Sequence, residues 1–357
     1  MTPPAFFHPA RLAAFCAALG FAFAPLASAQ TTVTTVPVGA VTVPVAAGTG
    51  VSRTITVLSC PVSITASTTG QVTGQITGIK ANTIVNSNAD WSPGALSVAS
   101  IPYIIRITSG TAKGSSFLVS TVTPNTATTV TLDSEEAALV NLTTSGLAVG
   151  DSYCLIPCET LISLLGTPST TGILGGTSPA SADLVLLMVG TTYRQYYFNT
   201  SFGKWVRAGI NTPSDDVPVR PDAALIYSRL GGAALSFVFT GTVPSIQRQA
   251  IVRNAGVSTI GNFWPVDVTL KNTGIASIPG WKTVASSTFG AGADIVQILV
   301  GTTYRQYYND GTNWRRVGTN TISDTTVSIS AGTGFFINKI GVTAGAARLT
   351  QLVPYTL

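Results

Sequence analysis

From residue 30 onward the chain shows short apolar runs and stretches in which apolar and polar residues alternate, with no long segment repeating at the helical period. That pattern predicts short, half-buried strands joined by turns. LVLLMV at 184–189 is continuously apolar and suits a strand covered on both faces. Gly190 allows a tight turn into TTYRQYY, a second strand, and FNTSFGK leads into WVRAG, a third. The only helix the pattern predicts is CETLISLLG at 158–166, with Glu159 early, Leu161, Leu164 and Leu165 on one face, and Gly166 at its end.

The strand pattern recurs. ADLVLLMVGTTYRQYY at 182–197 matches ADIVQILVGTTYRQYY at 293–308 at twelve of sixteen positions, with an offset of 111 residues. Further along, SDDVPVRPDAALIYSR at 214–229 parallels SDTTVSISAGTGFFINK at 323–339, and FTGTVP at 239–244 parallels LTQLVP at 349–354. The second copy turns through NDGTN, two residues shorter than the loop of the first, as loops tolerate. A fainter echo links residues 45–62 with 252–266. The expected fold is all-β: two related modules of about sixty residues, plus an inserted small β-barrel or sandwich in the N-terminal half, with at most one short helix. The expected boundaries are 30–68 with 159–245 for the first module and its N-terminal strands, 69–158 for the insertion and 246–357 for the second module.

Residues 1–29 read as a signal peptide. Arg11 precedes the apolar run 12–27, and Ala27 and Ala29 stand three and one residues before the expected cleavage site. No later segment approaches the length of a transmembrane helix. The expected location is therefore periplasmic, cell-surface or extracellular. Loss of the signal removes His8, the single histidine, and Cys16. Without imidazole there is no Ser-His-Asp or Cys-His apparatus and no His-based zinc site. The eleven remaining aspartates and three glutamates form no acid–base pair by local motif. GTSPAS lacks the G-x-S-x-G spacing of a nucleophile elbow. The expectation is a non-enzyme with no cofactor and no metal.

Cys60, Cys154 and Cys158 survive cleavage, and an oxidising compartment favours pairing. On one extended strand Cys154 and Cys158 would lie roughly 13 Å apart, too far for a disulfide. Either Pro157 bends the chain, or Cys60 pairs with Cys154 or Cys158. Residues 30–182 carry four Lys/Arg against six Asp/Glu, whereas 183–357 carry fourteen against eight. The second part could attract an anionic partner such as a surface polysaccharide. With no basic run, nucleic acid is not an expected partner.

Candidate binding residues come from the duplicated segment: Tyr193, Arg194, Tyr196, Tyr197 and Trp205 in the first copy, and Tyr304, Arg305, Tyr307, Tyr308 and Trp314 in the second. Strand alternation puts Tyr193 and Tyr197 on one face and Arg194 and Tyr196 on the other. A Trp opposite Tyr or Arg would lock hairpin register by cross-strand stacking or a cation–π contact. Buried, the rings are scaffold; open, they could stack on sugar rings, and two copies would bind bivalently. The first reading is a structural or assembly protein of the cell envelope or surface that self-associates through sheet edges. The alternative is a glycan-binding module using the paired Tyr/Trp/Arg faces.

The pattern AD-x-V, Y-x-x-YY, W, G-x-GF-x-I and LT-x-x-VP, following GDSYCLIPCETLISLL, resembles a family of exported bacterial β-rich proteins of unknown function. The resemblance spans nearly the whole mature chain and implies a signal peptide and repeated β modules, with no catalytic residues to carry over. The first copy departs from it where RPDAALIYSR lacks the glycines of SAGTGFFINK.

Overall fold

The computed structural model describes residues 37–63, 71–341, 343 and 345–356. The signal peptide expected at 1–29 and the boundary expected at 68/69 lie outside the described residues. Alternating Val41, Val43 and Val45 give β1 (Val38–Val45) one buried face, and β2 (Thr54–Leu58) follows. Seven short strands come next: β3 (Val72–Gln75), β4 (Gly78–Ile79), β5 (Thr83–Val85), β6 (Tyr103–Ile107), β7 (Ser116–Leu118), β8 (Thr129–Thr131) and β9 (Ser152–Pro157). The first repeat supplies β10 (Leu184–Val189), β11 (Thr192–Asn199), β12 (Lys204–Arg207), β13 (Leu225–Arg229) and β14 (Leu235–Thr242). The last part supplies β15 (Arg248–Arg253), β16 (Ala255–Gly261), β17 (Val268–Thr269), β18 (Ile295–Val300), β19 (Thr303–Asn309), β20 (Trp314–Arg316), β21 (Ser328–Ile329), β22 (Gly334–Ile340) and β23 (Ala346–Gln351).

The fold is all-β, and its two repeats share one topology. A five-stranded sheet β12-β11-β10-β13-β2 and a ribbon β1-β14 are matched by a sheet β20-β19-β18-β22-β16 and a ribbon β15-β23. All these pairings are antiparallel, and the register is the same. Val185 faces Tyr196 as Val296 faces Tyr307, and Leu225 faces Leu58 as Phe335 faces Ile260. The faint echo between 45–62 and 252–266 is therefore a matching pair of elements. The segment between β2 and β10 builds two further sheets, β3-β9-β6-β7 and β4-β5-β8, over a core containing Ile84, Ile105, Phe117, Val130 and Leu155.

Helix is scarce but exceeds the single element expected. Three short α-helices occur among the described residues: α1 (Ser134–Ala137), α2 (Leu161–Leu165) and α3 (Pro168–Thr171). The expected helix at 158–166 is α2, capped by Thr160 through a reciprocal bond with Ser163. The other two are single turns fixed locally. Asp133 accepts from Glu135 N, and Pro168 occupies the first turn of α3. Four residues are too few to display a helical period, so these turns left no pattern to read.

The two repeats meet about an approximate two-fold axis. Leu58 bridges to Thr333, and its counterpart Ile260 bridges to Ala223, the counterpart of Thr333. Ser59 N donates to Gly332 O at 2.8 Å, and Gly261 N donates to Asp222 O at 3.2 Å. Such paired contacts are those of an isologous interface, here within one chain. At its centre a Cβ on Gly334 would lie 2.2 Å from Ala224 Cβ. Ala224 and Gly334 are equivalent positions, each immediately before the Leu225-Ile226 or Phe335-Phe336 pair. Both cannot carry a methyl group at this separation. This explains why the first copy lacks that glycine while the second keeps it.

Candidate functional site

The duplicated hairpins turn where expected. Gly190 and Gly301 adopt φ of 60° and 62°, a left-handed conformation that favours glycine. Their aromatic residues go inward. Tyr196 and Tyr307 are 3% and 1% exposed; Tyr197, Tyr308, Trp205 and Trp314 are buried as well. Tyr196 and Trp205 belong to the first core, with Val43, Leu161 and Phe239. Tyr307 and Trp314 belong to the second, with Trp264 and Phe335. On the opposite face Tyr197 packs with Ala182 and Val206. Both faces of β11 are thus covered where these rings lie, and the six rings are scaffold. Of the other candidates, Tyr193 and Arg194 are half-buried, while Tyr304 and Arg305 are exposed. Tyr193 shares a hydroxyl hydrogen bond with Thr259 Oγ1 at 2.9 Å, linking the repeats. Tyr304 packs edge-on against Phe336.

The tryptophans do not face Tyr or Arg as expected. The turn length sets the register so that Trp205 faces Phe198 and Trp314 faces Asn309. Trp205 meets Phe198 edge-to-face at 6.1 Å, and its Nε1 donates to Gly166 O at 2.9 Å. Trp314 meets Trp281 at 5.7 Å. Beyond each tryptophan the same polar closure repeats. Trp205 N donates to Asp215 Oδ1 at 2.8 Å and Trp314 N to Asp324 Oδ1 at 2.5 Å. Tyr197 OH donates to Asn211 Oδ1 at 3.1 Å and Tyr308 OH to Asn320 Oδ1 at 2.6 Å. Asn211 and Asn320 hold φ of 52° and 57°, which asparagine tolerates better than most residues. These bonds give Asp215 and Asp324 the same structural role in the two copies.

A buried ion pair also repeats, and the sequence reading missed it. Asp183 Oδ2 accepts from Arg229 Nη1 at 2.5 Å, and Lys339 Nζ stands 3.5 Å from Asp294 Oδ2. Asp183 and Asp294 are the acidic residues of the two AD motifs; Arg229 and Lys339 close YSR and INK. Burial would raise the Asp183 carboxyl, but bonds from Leu174 N, Tyr227 OH, Leu230 N and Arg229 outweigh it and hold the group below its ordinary value. Both AD motifs are thus structural.

Among the described residues Cys60, Cys154 and Cys158 are free and buried, so the expected pairing of Cys60 with Cys154 or Cys158 is not formed. Cys154 lies on β9, with its thiol toward Gln71, while Cys158 lies just past that strand and donates to Val219 O. Cys60 donates to Val62 O at 3.1 Å. Burial, with Glu159 nearby, pushes the Cys60 thiol up to about 12. Burial raises Cys154 and Cys158 too. Thiols so raised are poor nucleophiles and poor metal ligands at neutral pH.

Two clefts separate the insertion from the repeats. The first, of about 450 Å³, is lined by Glu135 and Glu136 of α1, Arg194 and Tyr196 of the first hairpin, and Arg220 and Arg253 among others. Its charges are largely neutralised internally. Arg194 pairs with Glu135 at 3.3 Å, and Arg220 pairs with Glu136 and, at 2.8 Å, with Asp222. The second, of about 720 Å³, lies between residues 139–146 and the ends of β22 and β23, with Lys339 and Arg348 in its wall. Neither cleft was legible locally, because each is made by segments distant in sequence. Comparison with protein-family models, curated proteins and solved structures finds no match to this chain.

Proposed function

We propose that this chain is an exported, non-catalytic structural protein of the bacterial cell envelope or surface whose activity is self-association. The observation that carries the reading is a difference between its two ribbons. On β15 the outward residue Gln249 is covered: it is buried, bridges to Ser115 of the insertion and accepts from Ser115 Oγ at 2.7 Å. The equivalent ribbon β1-β14 lacks that cover. Ala40, Thr42, Pro44, Ser236, Val238 and Thr240 line its outer face and are all exposed. Among the described strands β1 pairs with β14 alone, so its other edge offers backbone donors and acceptors to an incoming strand. A second copy of the chain is the partner this reading assigns.

The burial of Tyr196, Tyr197, Trp205 and their counterparts favours this over the glycan-binding alternative, which needs open rings. The test is light scattering coupled to size-exclusion chromatography over a wide concentration range. The reading expects mass to rise with concentration in the wild type and to stay at one chain in Thr42→Lys/Val238→Lys, since edge lysines block strand pairing. A wild type that remains one chain at every concentration rejects it.

A further inference from the structure

We infer that the chain closes into a two-fold dimer in which the free edge of β1 pairs antiparallel with β1 of a second copy, centred on Ala40. This deepens the self-association reading and rests on it. The ribbon's register fixes where each backbone group of β1 points. Val243 N donates to Pro37 O at 2.9 Å, so Pro37 and Val243 form a bonded pair at the end of the ribbon. Bonded and non-bonded pairs alternate along an antiparallel ladder. Gly39, Val41, Val43 and Val45 therefore turn their backbone groups toward β14, while Val38, Ala40, Thr42 and Pro44 turn theirs away. The far side of β14 has the same phase: Thr242, opposite Val38, exchanges two bonds of 3.0 Å with Ser63. Among the described residues nothing bonds the outward groups of Val38, Ala40 and Thr42, and all three residues are exposed.

The second repeat shows that this edge accepts a strand. Val41 faces Phe239 as Ala250 faces Leu349, which makes Ala40 the counterpart of Gln249. Gln249 N points away from β23 and donates to Gly114 O at 3.1 Å, beside the parallel bridge to Ser115. The insertion thus occupies the edge of β15. The two edges also differ in charge. β15 carries Arg248 and Arg253, whereas neither β1 nor β14 holds a charged residue. Charge on an edge strand is a common guard against pairing, and this ribbon lacks it.

The edge of β1 is complementary to itself. In the register centred on Ala40, Ala40 meets Ala40 and Val38 meets Thr42 of the second copy. Each of these residues offers one donor and one acceptor, so every outward group finds a partner. Pro44 has no N–H and lies beyond that ladder. Moving the centre to Val41 would set Pro44 against Val38 and leave a Val38 carbonyl without a donor. The pairing joins two ribbons into one sheet, β14-β1-β1-β14, and a two-fold contact of this kind closes at two chains.

The test combines light scattering after size-exclusion chromatography with thiol cross-linking. Association should level off at twice the chain mass. Ala40→Pro removes an outward N–H without touching the bonds to β14 and should weaken association at least roughly tenfold, the scale of one bond lost from each copy. Thr240→Pro, the same loss on the far edge of β14, should leave association within about twofold. Circular dichroism and urea midpoints check that both variants fold. Ala40→Cys is a second measurement that keeps the ladder intact. Across the two-fold axis its Cα atoms lie roughly 5.5 Å apart, so a short bis-thiol reagent should join the copies. Thr240→Cys, roughly 14 Å from its counterpart, should not be joined, nor should the unaltered chain, in which Cys60, Cys154 and Cys158 are buried. A chain that stays single at every concentration overturns both the inference and the reading beneath it. Association that runs past two chains, that persists unchanged in a folded Ala40→Pro protein, or that cross-links through Thr240→Cys and not Ala40→Cys overturns the inference alone.

Discussion

Asp183 and Arg229 form a 2.5 Å ion pair with both side chains almost wholly buried, and Asp294 and Lys339 repeat it in the second module. Each pair ties the start of the central hairpin to the last residue, or nearly the last, of the neighbouring strand. Asp183 also accepts from Leu230 N as Asp294 accepts from Ile340 N, so the carboxylates close equivalent strand ends. Replacing Asp183 with Asn leaves the Arg229 charge buried without its counter-ion. The expected loss in urea unfolding at pH 7 is about 3–5 kcal/mol.

The same pair sets a pH dependence. The Asp183 carboxyl is held below its ordinary value in the folded chain. Its contribution is therefore present above the unfolded value of about 3.9 and is lost as pH falls through the folded value. Urea midpoints measured between pH 6 and pH 2 should fall for the wild type and fall less steeply for Asp183→Asn. Parallel curves would remove Asp183 from the account.

Gly334 is expected to resist substitution more than the turn glycines. A methyl group there would press on Ala224 Cβ, on Ile260 O at 2.8 Å and on Val57 Cγ1 at 3.0 Å. Overpacking of this kind costs about 1–3 kcal/mol. Ala224→Gly in the same chain opens the opposing side, so the double variant should recover part of the loss. The coupling in a double-mutant cycle measures the contact between the modules directly.

Cys60, Cys154 and Cys158 should react slowly with an aromatic disulfide reagent in the folded chain at pH 8 and quickly after denaturation. All three are buried and burial raises each thiol. Mass spectrometry of alkylated peptides assigns the reaction to each residue. Rapid native labelling of Cys158 would contradict the packing described for it.

The repeat made much of this architecture legible. Twelve identities at a fixed offset placed β10 and β11 over β18 and β19, and Gly190 and Gly301 marked the turns, because strand register follows from alternation and turn chemistry. The fate of the rings was not legible, since alternation divides residues between two faces without saying what covers either. Tyr197 is buried on the face where Tyr193 stays half-exposed, because Ala182 and Val206 lie over one and the second module's Thr259 meets the other. The buried ion pairs left a trace in the paired AD motifs and in the Arg/Lys ending YSR and INK. Their partnership spans about 45 residues, and no local period reports a contact at that separation. Arg348 carries no trace at all. It donates to Ser115 Oγ and lies over the Phe117 ring, more than two hundred residues away in the chain.

Hydroxyl-radical footprinting of the chain, read by mass spectrometry of tryptic peptides, tests the central claim most directly. Cleavage after Arg194 and Arg305 separates the identical tracts into peptides of different sequence, so Tyr196 and Tyr197 are read apart from Tyr307 and Tyr308. The account predicts strong protection of these four rings and labelling of Tyr304, which is 39% exposed. Labelling of Tyr196 and Tyr307 as heavy as that of Tyr304 would mean that the duplicated segment presents its rings to solvent and does not build two cores.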